Sequence, residues 1–294
     1  MNMFKFIFLK FYYKICMLST HLIPNKKLRK DIKETYKYKL VVLENENVNN
    51  IQMLDSTLSI EYIIKNKCNV SRYGDGEIGY LLDPNFHHFF QPYNPKLVEK
   101  LKYILQHPID NCLICIPIWM KNLNTNIQFH QKCIVNFWFK FYKYINKNYT
   151  YGCANLFCPS SLKINSIEHI KQIWNNEDIV IVTGINSSFI FANYLFDNTK
   201  SVNFIYSKAV DAFSEYDTLL NKIKTDKTKL YLLSLGLTAT VLAYDLAKIN
   251  IRAIDIGHIT NYYLESIGKM KNIEQLRQSR EFIDGKTDIR KNLE

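Results

Sequence analysis

Residues 71–77, with the sequence Ser-Arg-Tyr-Gly-Asp-Gly-Glu, combine the side chains best suited to chemistry in this 294-residue chain. Asp75 and Glu77 lie two positions apart, Arg72 precedes them, and Gly74 and Gly76 let the backbone turn sharply. In an extended or tightly turned segment, side chains two positions apart project to the same side. We therefore expect both carboxylates to converge on one cation while Arg72 faces an anion. These residues suit a metal-bridged phosphate, and a solvated acidic turn is the other interpretation.

This stretch also resembles the RFGDGE-type signature of the GT-D class of bacterial glycosyltransferases, whose metal-dependent members carry a D-x-E motif at this place. The resemblance continues in the same order through residues 90–95, 178–184, 235–246 and 253–259, and it covers roughly residues 54–261. It implies a glycosyltransferase that uses a nucleotide sugar and a divalent metal ion. The residues implied to hold Mn²⁺ or Mg²⁺ are Asp75 and Glu77.

Three later turns have residues that suit phosphate binding. Small hydroxyls and free amides at helix N-termini bind phosphate, and a lysine adds a positive charge. Ser and Thr are also common helix caps, so each turn alone is a weak signal, and only their repetition beside the acidic turn favours a binding site. The candidates are Gly184, Asn186, Ser187 and Ser188 in the first turn, Lys208 in the second, and Gly236, Thr238 and Thr240 in the third.

His258 and two aspartates are further catalytic candidates. Asp255 and His258 belong to the run Asp-Ile-Gly-His, at the end of a predicted strand. A lone histidine is more often structural than a ligand, but the GT-D resemblance places His258 near the active edge, after the two carboxylates in rank. Asp255 and Asp211 are candidate general bases, and nothing local selects between them.

Strand-like and helix-like segments alternate along the chain, which predicts an α/β fold. Helices are predicted at 56–67, 96–105, 131–145, 166–174, 187–196, 212–223 and 238–248, and strands at 68–70, 112–118, 179–182, 202–206, 229–234 and 252–256. A further strand or extended segment is expected at 151–157, and a helix from Ile78. Such spacing is typical of βαβ units, and so of a Rossmann-like parallel sheet flanked by helices. Because ligands bind at the carboxyl ends of such strands, the four turns should meet at one edge.

The first 45 residues form a basic, aromatic segment that precedes the predicted catalytic domain at 46–265 and a polar tail at 266–294. Residues 1–40 carry ten Lys or Arg and two acidic residues, a net charge of +8, which leaves +3 of the total +11 for the rest. Lys5, Lys10 and Lys14 break the apolar run below the roughly 18–20 residues that span a bilayer, and no cleaved signal peptide is expected. The segment suits a helical arm on an anionic membrane surface; a buried helix with a basic linker is the alternative.

The seven cysteines, an odd number, indicate a reducing compartment rather than a disulfide framework. Cys112 and Cys115 form a C-x-x-C in an apolar run that resembles a buried strand. Positions three apart on a strand face opposite sides, so core packing is predicted rather than a shared zinc ion. We therefore expect a cytoplasmic protein, held at the inner face of the cell membrane if the arm binds lipid.

These features predict a metal-dependent glycosyltransferase whose donor is a nucleotide sugar, with UDP as the expected nucleotide. The acceptor would be a hydroxyl of a glycan, a glycoprotein or a lipid-linked molecule. Two alternatives stand beside this hypothesis: a metal-dependent phosphohydrolase of nucleotide or sugar phosphates, and a non-enzymatic nucleic-acid-binding module. The nearly balanced charge outside the arm argues against a nucleic-acid partner.

Overall fold

A computed structural model of the chain describes residues 3–45, 51–86, 88–121, 125, 127–185, 187, 189 and 195–268. Asn186, Ser188, most of the helix predicted at 187–196, and the tail beyond residue 268 lie outside these ranges.

Seven parallel strands form a single sheet at the centre of the molecule. The strands are β1 (Asn69–Arg72), β2 (Cys112–Ile116), β3 (Gly152–Cys153), β4 (Asp178–Gly184), β5 (Ser201–Ser207), β6 (Leu230–Ser234) and β7 (Ala253–Asp255). They lie in the order β3-β2-β1-β7-β6-β4-β5, so the first and last strands of the chain are neighbours. The predicted α/β fold with a Rossmann-like parallel sheet is confirmed.

Helices flank this sheet and connect its strands. They are α1 (Met3–Ser19), α2 (Lys26–Asn45), α3 (Ser56–Asn66), α4 (Asp75–Leu82), α5 (Pro95–Gln106), α6 (Gln128–Tyr142), α7 (Pro159–Ile164), α8 (Ile167–Lys171), α9 (Tyr216–Lys224), α10 (Leu237–Ala247) and α11 (Ile259–Ser266). Asn94 caps α5 by accepting a hydrogen bond from the Lys96 amide at 3.0 Å, with Pro95 in the first turn, so this helix begins next to the segment predicted at 96–105.

Most predicted segments begin or end a few residues from their expected bounds, and two of these differences concern the candidate site. A helix begins at Asp75 rather than at Ile78, because Gly74 acts as its N-cap and the Glu77 side chain closes a capping box. The strand expected over 151–157 is reduced to Gly152–Cys153. The first difference moves both carboxylates of the acidic turn onto a helix.

The core lies on both faces of the sheet and is closed by α10, whose residues are buried on nearly every side. Every residue of β2 is buried. Its two cysteines, Cys112 and Cys115, are free and buried, and burial raises the pKa of both thiols well above the ordinary value. The burial of both cysteines agrees with the core packing predicted for them.

The N-terminal arm is a helical hairpin attached to the sheet domain. The Lys10 ammonium lies 2.7 Å from the Glu44 carboxylate, which joins α1 to α2. In turn α2 packs against α6, and Tyr38 and Val41 of α2 belong to the main hydrophobic core. Within the part of the chain that the structure describes, none of the helices has the length and apolar content to cross a membrane.

Candidate active site at the carboxyl edge of the sheet

A cavity of about 580 Å³ opens at the carboxyl edge of the sheet. Because all seven strands are parallel, their carboxyl ends share this edge, where ligands of open α/β sheets bind. Each strand supplies lining residues at or just after its end. One from each, in chain order, is Arg72, Pro117, Ala154, Gly184, Lys208, Ser234 and Asp255.

Asp75 and Glu77 are the first and third residues of α4, and both line the cavity. The interpretation that they project to the same side of an extended turn is wrong, since residues two apart on a helix are rotated by about 200°. What brings Glu77 toward the helix N-terminus is a hydrogen bond: the Gly74 amide donates to Glu77 Oε2 at 2.8 Å. Two carboxylates therefore stand at the first turn of α4, where the helix dipole favours negative charge.

Arg72 faces an anion, as expected, but that anion is a protein side chain. Its Nη2 lies 3.3 Å from Asp255 Oδ1, its Nε donates to the Asp255 carbonyl at 2.8 Å, and its Nη1 donates to the Ala154 carbonyl at 2.9 Å. Its guanidinium also stacks 5.3 Å from the Phe157 ring centroid. Arg72 thus joins the ends of β1, β3 and β7, and it also borders the cavity.

Burial and charge together perturb the acids of this cluster. Burial raises the pKa of Glu77 to about 7, helped by the charge of Asp255, while backbone amides and Arg72 act in the opposite direction. Burial also raises the pKa of Asp255, against the lowering effect of Arg72. Desolvation lowers the pKa of Arg72 and is the largest single effect, but the charges of Asp255, Glu77 and two nearby cysteines together outweigh it, so the net shift is upward. Glu77 is consequently poised between its protonation states at neutral pH.

Gly257 makes room for the Arg72 side chain. It adopts φ +54°, and a Cβ placed on it would lie 2.1 Å from Arg72 Nη2. Its amide donates to Asp255 Oδ1 at 3.0 Å. Only glycine fulfils both the backbone and the space requirement at this position.

The later turns contribute Gly184, Ser187, Lys208 and Gly236 to the same cavity. The Ser187 hydroxyl accepts a hydrogen bond from the Thr183 hydroxyl at 2.9 Å. The Lys208 amide donates to Glu215 Oε2 at 2.9 Å, which fixes the turn, and its ammonium donates to the Ser214 hydroxyl at 3.2 Å. Asn186 and Ser188 of the first turn lie outside the described residues.

Thr238 and Thr240, predicted to bind the cofactor, are fully buried and do not border the cavity. The Thr240 hydroxyl donates to the Arg72 carbonyl at 2.9 Å, and the Ser71 hydroxyl donates to the Thr240 carbonyl at 2.8 Å. The position of α10 explains the correction for Thr240, whose hydroxyl and carbonyl both bond to β1, and Thr238 is enclosed in the protein interior. Thr240 therefore fixes the end of β1 instead of contacting a ligand.

Of the remaining candidates, one lies in the cavity and one does not. His258 borders it, with its ring 5.2 Å from that of Tyr262. Asp211 does not border it: its carboxylate accepts a hydrogen bond from Gln91 Nε2 at 2.6 Å. We therefore set Asp211 aside as a general base for this cavity.

The structure adds several aromatic and histidine residues that were not among the predicted site residues, and of these only Phe90 falls in a block of the GT-D resemblance. They come from loops and helix ends remote in sequence, and the residues are His88, Phe90, Trp119, Phe129, His130 and Tyr262. Desolvation lowers the pKa of His130. Apart from Phe90, their only signal in the sequence was the aromatic composition of these segments, which equally fits a core. They line the cavity, and the His88 ring lies close to Gly76 of the acidic turn and to Gly236 of the third turn.

The donor set fits a divalent cation that shares its coordination with a substrate. Among the described residues, no cluster of three or more His, Cys, Asp or Glu could hold a metal by itself. Mg²⁺ usually takes one or two carboxylates, with the remaining positions filled by waters and substrate phosphates. Asp75 and Glu77, which line a cavity together with glycine-, serine- and lysine-bearing turns, match that pattern. A closed structural zinc site needs four protein ligands, which these two carboxylates do not supply.

Comparisons with known proteins identify the family that this chain resembles. The family model described as the glycosyltransferase GT-D fold matches residues 70–279. Glycosyltransferase GlyD of Streptococcus pneumoniae serotype 4 is 28% identical over 230 residues, which are 72% of this chain and 27% of that protein. A relative from Streptococcus gordonii is 27% identical over 228 residues, 33% of its length. The chain thus spans about a quarter to a third of the length of the curated relatives that it matches.

Solved structures give the same family. One of them, the domain of unknown function 1792 with a distinct glycosyltransferase fold, has a TM-score of 0.69 and 30% identity, and the match covers 80% of this chain and 86% of that one. Another, described as a new glycosyltransferase from Streptococcus sanguinis, has a TM-score of 0.66 and 27% identity, with 74% and 85% covered. The resemblance seen in the sequence is confirmed: the chain belongs to the glycosyltransferase GT-D family.

Proposed function

We propose that the chain is a metal-dependent glycosyltransferase that moves a sugar from a UDP-sugar to a hydroxyl of a glycan, glycoprotein or lipid-linked acceptor. The observation that carries the proposal is the cavity in which Asp75 and Glu77 stand beside glycine-rich turns and Lys208. A diphosphate needs this combination of cation ligands and anion-binding groups. Family membership supports sugar transfer as the reaction.

The donor diphosphate would be bound by groups on the β5 and β6 side of the cavity. Lys208 is exposed there and supplies a positive charge. Gly236 borders the cavity and directly precedes α10, so the partial positive charge of the helix N-terminus adds to the site. Gly184 and Ser187 let the backbone and a hydroxyl approach a phosphate closely.

Asp75 and Glu77 would hold Mn²⁺ or Mg²⁺, which neutralises the charge that develops on the departing diphosphate. With its pKa near neutrality, Glu77 gives up its proton readily when a cation is present. The hydrogen bond from the Gly74 amide to Glu77 Oε2 orients this carboxylate before any ligand binds. Such preorganisation lowers the cost of binding.

Arg72 and Asp255 act as positioning residues, and His258 contacts the donor or the acceptor hydroxyl. Asp255 is already bound to Arg72 and to the Gly257 amide, so its carboxylate is engaged in holding the cavity floor. His258 stands at the cavity surface, where an imidazole can accept a proton from an attacking hydroxyl. The acceptor would be met at the inner face of the cell membrane, through the basic arm.

A screen of nucleotide sugars with and without Mn²⁺ tests this function directly. We expect metal-stimulated consumption of one UDP-sugar in the presence of acceptor. Asp75→Asn and Glu77→Gln should each lower kcat/KM by about 100-fold or more, because each removes charge from the metal site. Retention of normal metal-dependent turnover by either variant would contradict the assignment.

Further measurements separate a loss of folding from a loss of activity, and sugar transfer from hydrolysis of the donor. Glu77→Gln keeps an oxygen that can accept from the Gly74 amide, so the capping box and the fold should survive. Lys208→Gln should weaken donor binding, because it removes the positive charge proposed for the diphosphate, and Lys222→Gln on α9, whose lysine does not border the cavity, is its charge-matched control. Sugar-nucleotide hydrolysis that no acceptor stimulates would instead indicate a phosphohydrolase.

A further inference from the structure

The outward face of α1 is apolar. Five of its residues point away from α2, with exposed fractions of 57% for Ile7, 60% for Phe8, 64% for Phe11, 48% for Ile15 and 69% for Leu18. Their spacing of one, three or four positions places them on one side of the helix. We call these five residues the α1 stripe. A contiguous exposed apolar surface on a helix usually marks an interaction site.

The opposite side of α1 is already occupied by α2. Lys10 on that side lies 2.7 Å from Glu44, and the rings of Tyr13 and Tyr36 approach within 6.2 Å. The hairpin is fixed to the sheet domain because the Thr125 amide donates to the Tyr38 hydroxyl at 2.9 Å. The α1 stripe is therefore held in place on the outside of the protein.

Positive charges flank the α1 stripe. Lys5 and Lys14 are exposed and lie on its two sides, about 110° and about 70° from its centre in a helical projection. Further exposed lysines follow on α2, and these are Lys26, Lys27, Lys30, Lys33, Lys37 and Lys39. Tyr12, 46% exposed, adds an amphipathic ring at the border. An apolar strip bordered by lysines and a tyrosine is complementary to the boundary between anionic headgroups and acyl chains.

A second copy of the chain is a poorer fit to the same face. Pairing two α1 stripes would bring the flanking Lys5 and Lys14 of both copies close together, with like charges opposed. An anionic lipid surface instead attracts both the flanking lysines and those of α2. Charge complementarity therefore favours an anionic lipid surface over a second copy of the chain.

We propose that the α1 stripe inserts into the surface of an anionic membrane, with α1 lying in the plane of the headgroups and the lysines of α1 and α2 contacting lipid phosphates. The same arm contacts α6, whose residues Phe129 and His130 line the cavity. Docking would therefore hold the catalytic cavity close to lipid-linked acceptors. The docking itself does not depend on the reaction that the cavity performs.

Sedimentation of the full chain with lipid vesicles tests the docking. We expect binding to vesicles of phosphatidylcholine with 30% phosphatidylglycerol, about tenfold or more weaker after Phe8→Ser/Leu18→Ser. Leu58→Ser/Ile164→Ser, at exposed fractions of 49% and 71%, is the matched control and should bind normally. Lys5→Gln/Lys14→Gln should weaken binding about twentyfold, and Lys222→Gln/Lys224→Gln should not.

A depth measurement and an oligomer measurement complete the test. Phe11→Trp should acquire fluorescence that brominated acyl chains quench, beyond any quenching of the unsubstituted protein. The proposal is overturned if vesicles fail to bind, if Phe8→Ser/Leu18→Ser binds as well as its control, or if light scattering without lipid shows a dimer that this variant dissociates. Circular dichroism confirms that the variants are folded, and activity on a soluble acceptor tests the proposed reaction separately.

Discussion

Glu77 combines a structural and a chemical role in one carboxylate. It closes the capping box of α4 through the Gly74 amide, and it borders the cavity. Burial and the neighbouring charge of Asp255 raise its pKa to about 7. Placing an acid in such an environment costs stability when it ionises, and a bound cation would offset that cost.

The raised pKa predicts how stability depends on pH. Because the pKa of Glu77 in the folded protein, about 7, lies above its ordinary value of 4.5, the folded state binds more protons than the unfolded state between these values. The free energy of unfolding of the metal-free protein should therefore fall as pH rises from about 4.5 to 7. Urea unfolding across this range should show a shallower decline for Glu77→Gln.

In Glu77→Gln, the unfolding free energy should still decline partly with pH, because the pKa of Asp255 is also raised. Changing the exposed Glu61 of α3 to Gln is the control and should leave the pH dependence unchanged. Equal slopes for the unsubstituted protein and Glu77→Gln would show that Glu77 titrates normally in the folded state.

At the scale of elements, the loop between β7 and α11 decides how the cavity floor is built. Arg72 at the end of β1 reaches across to Asp255 at the end of β7, and Gly257 leaves the space for it. The reciprocal bonds between Thr240 of α10 and β1 hold the backbone of Arg72 in place. Neighbouring elements therefore share one arginine as a common anchor.

Gly257→Ala should displace that anchor. A Cβ would lie 2.1 Å from Arg72 Nη2, so the buried ion pair must move or break, and we expect a loss of about 1–3 kcal/mol in unfolding free energy together with reduced activity. Chemical denaturation and donor turnover measure the two effects.

Gly268→Ala is the matched control for this clash. Gly268 has a similar φ of +69°, but a Cβ added to it would meet no described atom within 4 Å, so the variant carries the backbone strain alone. Equal destabilisation of the two variants would show that backbone conformation, not contact with Arg72, sets the requirement at Gly257.

At the scale of the whole molecule, the cavity is formed by the sheet as a unit, because every strand supplies a lining residue at or just after its end. The residues that line it come from the first strand to the last. The arm, through α2 and α6, is joined to the wall of the same cavity. Ligand binding should therefore stabilise the sheet domain as a unit rather than one loop.

Thermal unfolding with UDP and Mn²⁺ tests that statement. At ligand concentrations about 100 times the dissociation constant, binding should add about 2.7 kcal/mol to the stability of the folded state. We expect a single transition that moves up by several degrees for the unsubstituted protein. Asp75→Asn should show little shift in the same mixture, and an equal shift in both proteins would place the ligand away from Asp75.

The sequence by itself determined the features that depend on near neighbours. Alternating apolar segments specified the parallel sheet, the Asn94-Pro95 pair specified the start of α5, and residue type alone indicated the turns with glycine and lysine. Periodicity and capping act over a few residues, so a single sequence reveals them. The resemblance to the GT-D family was likewise recognised from short runs of residues that follow one another in the same order.

Only the tertiary structure decided which groups meet. Arg72 and Asp255 are 183 positions apart and become partners because β1 and β7 are neighbours in the sheet. The same strand order directs the Thr240 hydroxyl to the Arg72 carbonyl and brings the aromatic residues of α6 to the cavity. Such contacts, and the burial that perturbs Glu77, follow from long-range packing, which local pattern does not encode.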